Sequence, residues 1–243
     1  MDLEAARKAV AGAKRVAVLT GAGISAESGV PTFRSWGGLW RGFSSEDLAT
    51  PEGFARDPKQ VWEWYDWRRS QMAEASPNPG HYALADFAKR STGFTLITQN
   101  VDGLHERAGS PDVLRLHGSI WHTRCLTCAK EEEDRRERIP DLPPKCQSCG
   151  GMLRPAVVWF GEVLPPEVFD QALAATLACD VFLVAGTSAA VHPAASLVPL
   201  AASSGATVIE VNPEETDVSD VVHHTLRGPS GVILPQLLSP RLG

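Results

Sequence analysis

No stretch of the 243 residues holds the roughly 18 consecutive apolar residues that a bilayer span needs. The opening run Met1-Asp-Leu-Glu-Ala-Ala-Arg7 also lacks the apolar core of a secretion signal. A cytoplasmic protein is the expectation. Basic residues are in the minority: 23 Lys and Arg against 29 Asp and Glu leave a net charge of −6. That balance argues against general affinity for nucleic acid or an anionic membrane, a local basic patch aside. Cysteine is scarce too, with five in all and four of them in two Cys-x-x-Cys pairs. This is not the pattern of a secreted disulfide scaffold, and it fits a reducing compartment and a metal site. What is present, 43% hydrophobic and 21% charged residues, is the composition of a globular chain with a substantial core. Its length suits one large domain or a main domain with an insertion.

The chain is organised around Arg15-Val-Ala-Val-Leu-Thr20 running into Gly21-Ala22-Gly23-Ile24-Ser25-Ala26. The apolar run reads as a buried strand that ends in a glycine turn and opens a helix. Gly21 and Gly23 are able to take positive φ and leave no Cβ in the way of a pyrophosphate on the backbone N–H groups. The spacing Gly-x-Gly-x-x-Ala fits the dinucleotide fingerprint, although a glycine turn that merely connects two elements explains it equally well in isolation. A further absence narrows the reading. A dehydrogenase would show a second strand ending in an acidic residue about 20 positions on, and Pro31-Thr32-Phe33-Arg34-Ser-Trp-Gly-Gly-Leu-Trp-Arg41 is not a strand. A dinucleotide is compatible with the turn, but hydride transfer is not implied. The Gly- and Trp-rich segment is a candidate cofactor-closing loop.

Downstream, Asp57 to Met72 predicts a helix with Asp57 as N-cap and Pro58 at its first position. Val61, Trp64, Tyr65, Arg68 and Met72 fall on one face. The apolar members belong in a core. Tyr65 and Arg68 either snorkel beside it or share a polar or anionic partner. The strand Gly93 to Asn100 carries Gln99, Asn100 and Asp102 to the C-terminal edge of a parallel sheet, where ligands bind in open α/β folds; simple helix capping is the competing reading. Val113 to Gly118 is a short strand finishing near His117, whose case depends on its company. Cys125-x-x-Cys128 and Cys146-x-x-Cys149 supply four thiolates for tetrahedral Zn²⁺ with no open position, so the metal is expected to be structural rather than the pairs redox-active. The segment Lys130 to Arg138 reads as a solvated excursion. The main pattern resumes at Ala156-Val-Val-Trp-Phe160, then a helix over Pro166 to Ala178, the strand Asp180 to Gly186, Thr187-Ser188, the strand Thr207 to Asn212, and a last helix opening near Ser230. Cys179 is most simply a buried small residue.

Taken together, Gly21-Ala-Gly-Ile-Ser25, Thr32-Phe-Arg34, Gln99-Asn-Val-Asp102, Leu116-His-Gly118, the four paired cysteines, Phe160-Gly-Glu162, Gly186-Thr-Ser188 and Val211-Asn212 resemble the sirtuins, NAD⁺-dependent protein lysine deacylases. The resemblance covers nearly the whole chain in the family's order. It implies a Rossmann-like parallel sheet with helices on both faces, built from residues 1–38, 78–118 and 156–243. A helical module (39–77) and a zinc-ribbon module (119–155) would be inserted into it. It implies NAD⁺ as co-substrate and one structural Zn²⁺ on Cys125, Cys128, Cys146 and Cys149. Gly21, Ala22, Gly23, Ser25, Ala26, Thr32, Phe33 and Arg34 would hold the pyrophosphate and close over the nicotinamide ribose. Gln99, Asn100, Val101 and Asp102 would bind the nicotinamide end. Gly186, Thr187, Ser188, Asn212, Pro213, Glu214 and Ser230 would hold the adenosine half. Most sirtuins carry Ala where this chain has Ser230.

The implied reaction starts with attack of the acyl amide oxygen on the ribose C1′ and loss of nicotinamide. His117, with Asn100 the other catalytic residue, then serves as base for a ribose hydroxyl that takes the acyl group, giving free lysine and O-acyl-ADP-ribose. An acyl-lysine peptide would add as a strand beside Val158, Phe160, Gly161, Glu162 and Val191. The Tyr65-x-x-Arg68 spacing with Ala49 upstream is similar to the subclass that removes succinyl and malonyl groups, since a buried acyl carboxylate needs a cation and an acetyl methyl does not. The partners are then acyl-lysine proteins or peptides, with no nucleic acid and no membrane. Mono-ADP-ribosyl transfer by the same nicotinamide cleavage is the nearest alternative, and a zinc-ribbon nucleic-acid reader is disfavoured by charge and motifs.

Overall fold

The computed structural model describes residues 3–31 and 41–239. The chain opens with α1 (Leu3–Gly12) and β1 (Val16–Thr20), continues through α2 (Ser45–Leu48), α3 (Pro51–Arg56), α4 (Pro58–Glu74) and α5 (Pro79–Arg90), and enters β2 (Phe94–Thr98). The short α6 (Leu104–Arg107) and β3 (Leu114–Arg115) precede β4 (Gly118–Cys125), β5 (Glu131–Glu133) and β6 (Leu153–Val157). Helices and strands then alternate through α7 (Pro166–Ala178), β7 (Val181–Ala185), α8 (Leu197–Ser203) and β8 (Thr207–Val211), with β9 (His224–Leu226) and α9 (Ser230–Leu238) last.

All five residues of β1 are buried, which a strand achieves only inside a sheet covered on both faces. It pairs in parallel with β2 on one side and β7 on the other, within a six-stranded sheet of order β3-β2-β1-β7-β8-β9. Alternate residues feed opposite cores. Val16 and Val18 join Ala6, Leu84 and Leu234 from α1, α5 and α9. Ala17 and Leu19 join Ala172, Leu197 and Val198 from α7 and α8. The expected doubly covered parallel sheet is therefore present. Its order reverses between β1 and β7, and that switch point, at the C-terminal strand ends, is where such sheets open a crevice.

The small sheet is antiparallel, in the order β5-β4-β6. The segment expected to resume the main pattern at Ala156 belongs to this sheet instead, because β6 runs over Leu153–Val157 and pairs with β4. A short apolar run carries no information about which sheet it joins. Between the small sheet and α2–α4 lies a third core that includes Leu48, Val61, Trp62, Ile120, Trp121 and Trp159. α4 begins as its sequence predicts: Asp57 Oδ1 accepts from Gln60 N at 2.9 Å, and Pro58 fills the first position. Such a cap contributes about 1 kcal/mol. Val61, Trp64, Tyr65, Arg68 and Met72 are buried on the expected face, but so are Trp62, Asp66 and Arg69 on the next one. The segment after β5 is not wholly solvated either. Asp134 pairs with the buried Arg69 at 3.5 Å, and Ile139 N–H donates to Asp66 at 2.7 Å.

Candidate functional site

β1 ends at the switch point, where Gly21 N–H donates to Ala185 O at 3.2 Å and Gly23 N–H to Gly186 O at 2.7 Å. Gly21 has φ −130, so the turn does not use the left-handed region expected of it. The glycines are needed for approach instead. A Cβ on Gly21 would lie 2.6 Å from Thr187 Cβ, and one on Gly23 2.6 Å from Gly186 O. The turn continues as a 3₁₀ helix over Ala22–Ser28 rather than an α-helix, and it contains Ser25 and Ala26. Thr32, Phe33 and Arg34 lie outside the described residues.

The predicted polar residues at the ends of β1 and β2 meet beneath this turn. Asn100 Nδ2 donates to Gly21 O at 3.1 Å and to Ser25 Oγ at 3.2 Å. Ser25 Oγ donates to Asp102 Oδ2 at 2.7 Å, while the other Asp102 oxygen accepts from Leu104 N at 2.8 Å. Asp102 thus lies one residue before Gly103, the N-cap of α6, and is shared between the first N–H of that helix and the candidate site. Burial pushes its carboxyl up, against the opposing bonds from Leu104 and Ser25. Val101 ties this loop to the small sheet by accepting from Ile120 N–H at 3.0 Å. Gln99 Nε2 donates to Thr187 Oγ1 at 3.0 Å, bridging the ends of β2 and β7. Gly186 takes φ 61, and Ser188 follows it, partly exposed.

Sequence reasoning missed the layer below. His81 accepts from Asn78 N–H through Nδ1 at 3.2 Å, so its Nε2 carries the proton that faces Ser25 Oγ at 3.4 Å. His105 Nε2 lies 2.9 Å from Thr20 Oγ1, which itself donates to Thr98 Oγ1 at 2.8 Å. Burial pulls His81 down to about 4 and His105, beside it, to about 3. Both rings are neutral struts. The Asn78-Pro-Gly-His81 run, a capped helix start with His81 at its third position, was the available signal for one of them.

His117 joins the candidate site from the link between β3 and β4. Its Nδ1 lies 2.9 Å from Gln99 O, and a carbonyl only accepts, so Nδ1 holds the proton and Nε2 keeps its lone pair. Burial lowers its pKa, opposed by the Gln99 carbonyl. Val158 N–H donates to His117 O at 3.0 Å, and Phe160 N–H to Ala49 O at 2.9 Å. Phe160, Gly161 and Val191 are exposed. Glu162 is committed elsewhere: it accepts both Arg154 guanidinium nitrogens at 2.5 and 2.8 Å and Trp159 N–H at 2.8 Å. Tyr65 and Arg68 are 1% and 6% exposed, with the guanidinium 4.8 Å from the Trp64 ring centroid and 5.4 Å from that of Tyr65. Desolvation works against the charge of Arg68, countered by Tyr65 and Asp102.

At the end of β8, Asn212 Nδ2 donates to Glu214 O at 2.9 Å, and Pro213 and Glu214 are exposed. Glu210, buried in β8, anchors this loop by accepting from Ser219, Thr216 and, at 2.7 Å, Arg227. Ser230 is buried at the start of α9, where Gly231 N–H donates to Glu27 at 2.6 Å. Away from this edge, the four paired cysteines converge with their sulfurs all within 4.8 Å of one another. Cys125 and Cys149 lie 3.5 Å apart and Cys128 and Cys146 3.8 Å, against about 3.8 Å for thiolates around tetrahedral zinc. The N–H groups of Cys128 and Thr127 point at the Cys125 sulfur and bring its thiol down to about 6. The donor set fits zinc.

Known proteins are similar to this chain in sequence and fold. An NAD-dependent protein deacylase of Aquifex aeolicus is 54% identical over 206 residues, covering 85% of this chain and 86% of that one. A solved Sir2 homologue in complex with NAD matches at a TM-score of 0.92 and 47% identity, over 97% of this chain and 92% of the other. A Sir2 protein bound to acetylated peptide matches at 0.87 and 28%, over 98% of both. The model of the Sir2 family matches residues 21–193, from the glycine turn through the cysteine cluster to the loop after β7, and the chain belongs to the Sir2 family.

Proposed function

We propose that this chain, an NAD-dependent protein deacylase, favours acyl-lysines whose acyl group ends in a carboxylate, succinyl and malonyl, and retains deacetylase activity. The observation that carries this reading is Arg68, a guanidinium 6% exposed on the same helix face as Tyr65. A cation held at that depth among aromatic rings costs desolvation energy that an acetyl methyl group does not offset and a carboxylate does.

NAD⁺ supplies, when bound, the nicotinamide–ribose bond to be broken and the ribose hydroxyl that receives the acyl group. In this reading the turn from Gly21 to Ala26, with Ala22 and Gly23 among its residues, carries the pyrophosphate. Asn100, Val101 and Asp102 hold the nicotinamide end, and Gln99 the ribose. Gly186, Thr187, Ser188, Asn212, Pro213, Glu214 and Ser230 hold the adenosine half. His117 takes a proton from the ribose hydroxyl through Nε2, because Nδ1–H is pinned to Gln99 O. The acyl-lysine peptide adds as an extended segment along Val158, Phe160, Gly161 and Glu162 on one side and Val191 on the other, with Ala49 beside the acyl chain. Four cysteines leave no ligand position for water, so zinc serves structure.

The test is the ratio of kcat/KM for succinyl and acetyl forms of one peptide. Arg68→Met keeps much of the stem's packing but strands the acyl carboxylate, and should cost roughly 2–5 kcal/mol on the succinyl substrate. Acetyl turnover should change far less. Tyr65→Phe removes one bond to a charged group, about 1.5–3 kcal/mol, in the same direction. Equal losses on both substrates would return the protein to a general deacylase.

A further inference from the structure

We propose that Trp159 is a specificity-determining positioning residue, which aims the Tyr65 hydroxyl at the acyl carboxylate. The inference rests on the carboxylate reading of the acyl pocket given above. Trp159 Nε1–H donates to Tyr65 Oη at 2.9 Å, and both side chains are buried, at 3% and 1% exposure. A phenol oxygen has one hydrogen to give and a rotor that decides where it goes. Once that oxygen accepts from the indole, the hydrogen turns away from Trp159 and is available to a second acceptor. Burial pushes the Tyr65 phenol up, with Arg68 and the Trp159 bond opposing, so the hydroxyl keeps its hydrogen at neutral pH. A carboxylate brought to Arg68 would offer that acceptor.

The indole is itself held on every side that matters. Its backbone N–H donates to Glu162 at 2.8 Å. The Arg154 carbon Cζ sits 3.4 Å from the ring centroid, and the Phe54 ring lies 5.2 Å away. Arg154 is 4% exposed, and besides its two bonds to Glu162 it donates to Val157 O at 2.9 Å. A cation over the π face draws density from the ring and makes the indole N–H a better donor. Glu162, partly exposed, and the buried Arg154, Trp159 and Tyr65 therefore form one connected chain. It joins the segment proposed to bind the peptide backbone to the helix proposed to read the acyl group.

An indole N–H that only satisfied its own buried donor would contribute to stability and affect every substrate alike. A positioning role affects only the acyl group that Tyr65 touches. Trp159→Phe keeps an aromatic ring against Phe54 and Arg154 and removes the donor. Its kcat/KM for a succinyl-lysine peptide should fall about 3- to 10-fold, the range for one hydrogen bond, with the acetyl peptide within about twofold. In a Tyr65→Phe background the same change should leave the succinyl-to-acetyl ratio unaltered within about twofold, because the hydroxyl it acts through is gone. Equal loss on both acyl groups, or full additivity with Tyr65→Phe, overturns the proposal. If Trp159→Phe does not fold, site-specific replacement by benzothienylalanine, with sulfur in place of the N–H, puts the same question with the ring shape kept. The two readings fail separately. If Arg68→Met and Tyr65→Phe leave the ratio untouched, the carboxylate pocket is wrong; if they shift it and the Trp159 variants do not, only the role of Trp159 is wrong.

Discussion

His117 is fixed in one tautomer by a single backbone contact. Nδ1–H is engaged by the Gln99 carbonyl at 2.9 Å, which leaves Nε2 as the only basic atom the ring can offer. Burial lowers the pKa from its ordinary value of 6.5, and the carbonyl only partly restores it. The proposed base works in its deprotonated form, so activity is expected above the folded-state pKa and is lost as pH falls through it. The acid limb of kcat/KM should therefore have its midpoint below 6.5. A midpoint above that value would mean that a different group titrates. His117→Tyr removes the proposed base without touching the glycine turn, and turnover should drop by at least about 10²-fold. NAD⁺ binding, followed by calorimetry, should persist. Near-normal deacylation by this variant would remove His117 from the mechanism.

At the scale of the element, α4 has two working faces. Tyr65 and Arg68 look toward the proposed acyl pocket. Trp62, Asp66 and Arg69 fasten the helix to the small sheet and the segment after it. Trp62 Nε1–H donates to Leu153 O at 2.8 Å, and Asp66 accepts from Ile139 N at 2.7 Å. Arg69 Nε donates to Ile120 O at 2.9 Å. Its guanidinium is flanked by the Trp62 and Trp121 rings at 5.8 and 5.9 Å. Arg69→Met would strand Ile120 O, at a cost of about 1–3 kcal/mol, whereas Asp134 keeps Arg136, whose guanidinium holds it at 2.7 and 2.9 Å. The melting midpoint should fall by roughly 5 °C, while the succinyl-to-acetyl ratio of the folded enzyme holds. An unchanged midpoint would mean that the guanidinium contributes nothing net. The first face was legible in the sequence because Tyr65 and Arg68 share the helical period of Val61 and Met72. The second was not, since an Asp and an Arg whose partners are backbone groups far along the chain look the same as a solvated stripe. The glycine turn shows the same limit. Its spacing identified the strand end, yet Gly21 and Gly23 are required by the backbone of Gly186 and the side chain of Thr187, which no local pattern could reveal.

At the scale of the whole molecule, two of the three cores among the described residues rest on the six-stranded sheet, and the third rests on the small one. Its floor is the three-stranded sheet whose β5 is exposed throughout, and the four cysteines bind the turns of that sheet together. Structural zinc in small Cys sites contributes about 10–16 kcal/mol, comparable with the roughly 5–15 kcal/mol that separates folded from unfolded domains. Removing the metal leaves four sulfurs within 4.8 Å with no cation between them. Cys125 is the last residue of β4, and Leu153, its partner in register, opens β6. Disorder there would reach Ile120 O and Leu153 O, the acceptors that hold Arg69 and Trp62, and through α4 it would reach Tyr65 and Arg68. Extraction of zinc by a strong chelator should therefore unfold or aggregate the protein, seen as loss of near-ultraviolet circular dichroism. Deacylation of succinyl and acetyl peptides should be lost in parallel, in proportion to the zinc removed. A catalytic metal would behave otherwise, with activity gone and the fold retained. A metal-free protein with intact dichroism and normal turnover would show that the third core stands without its cysteine cluster.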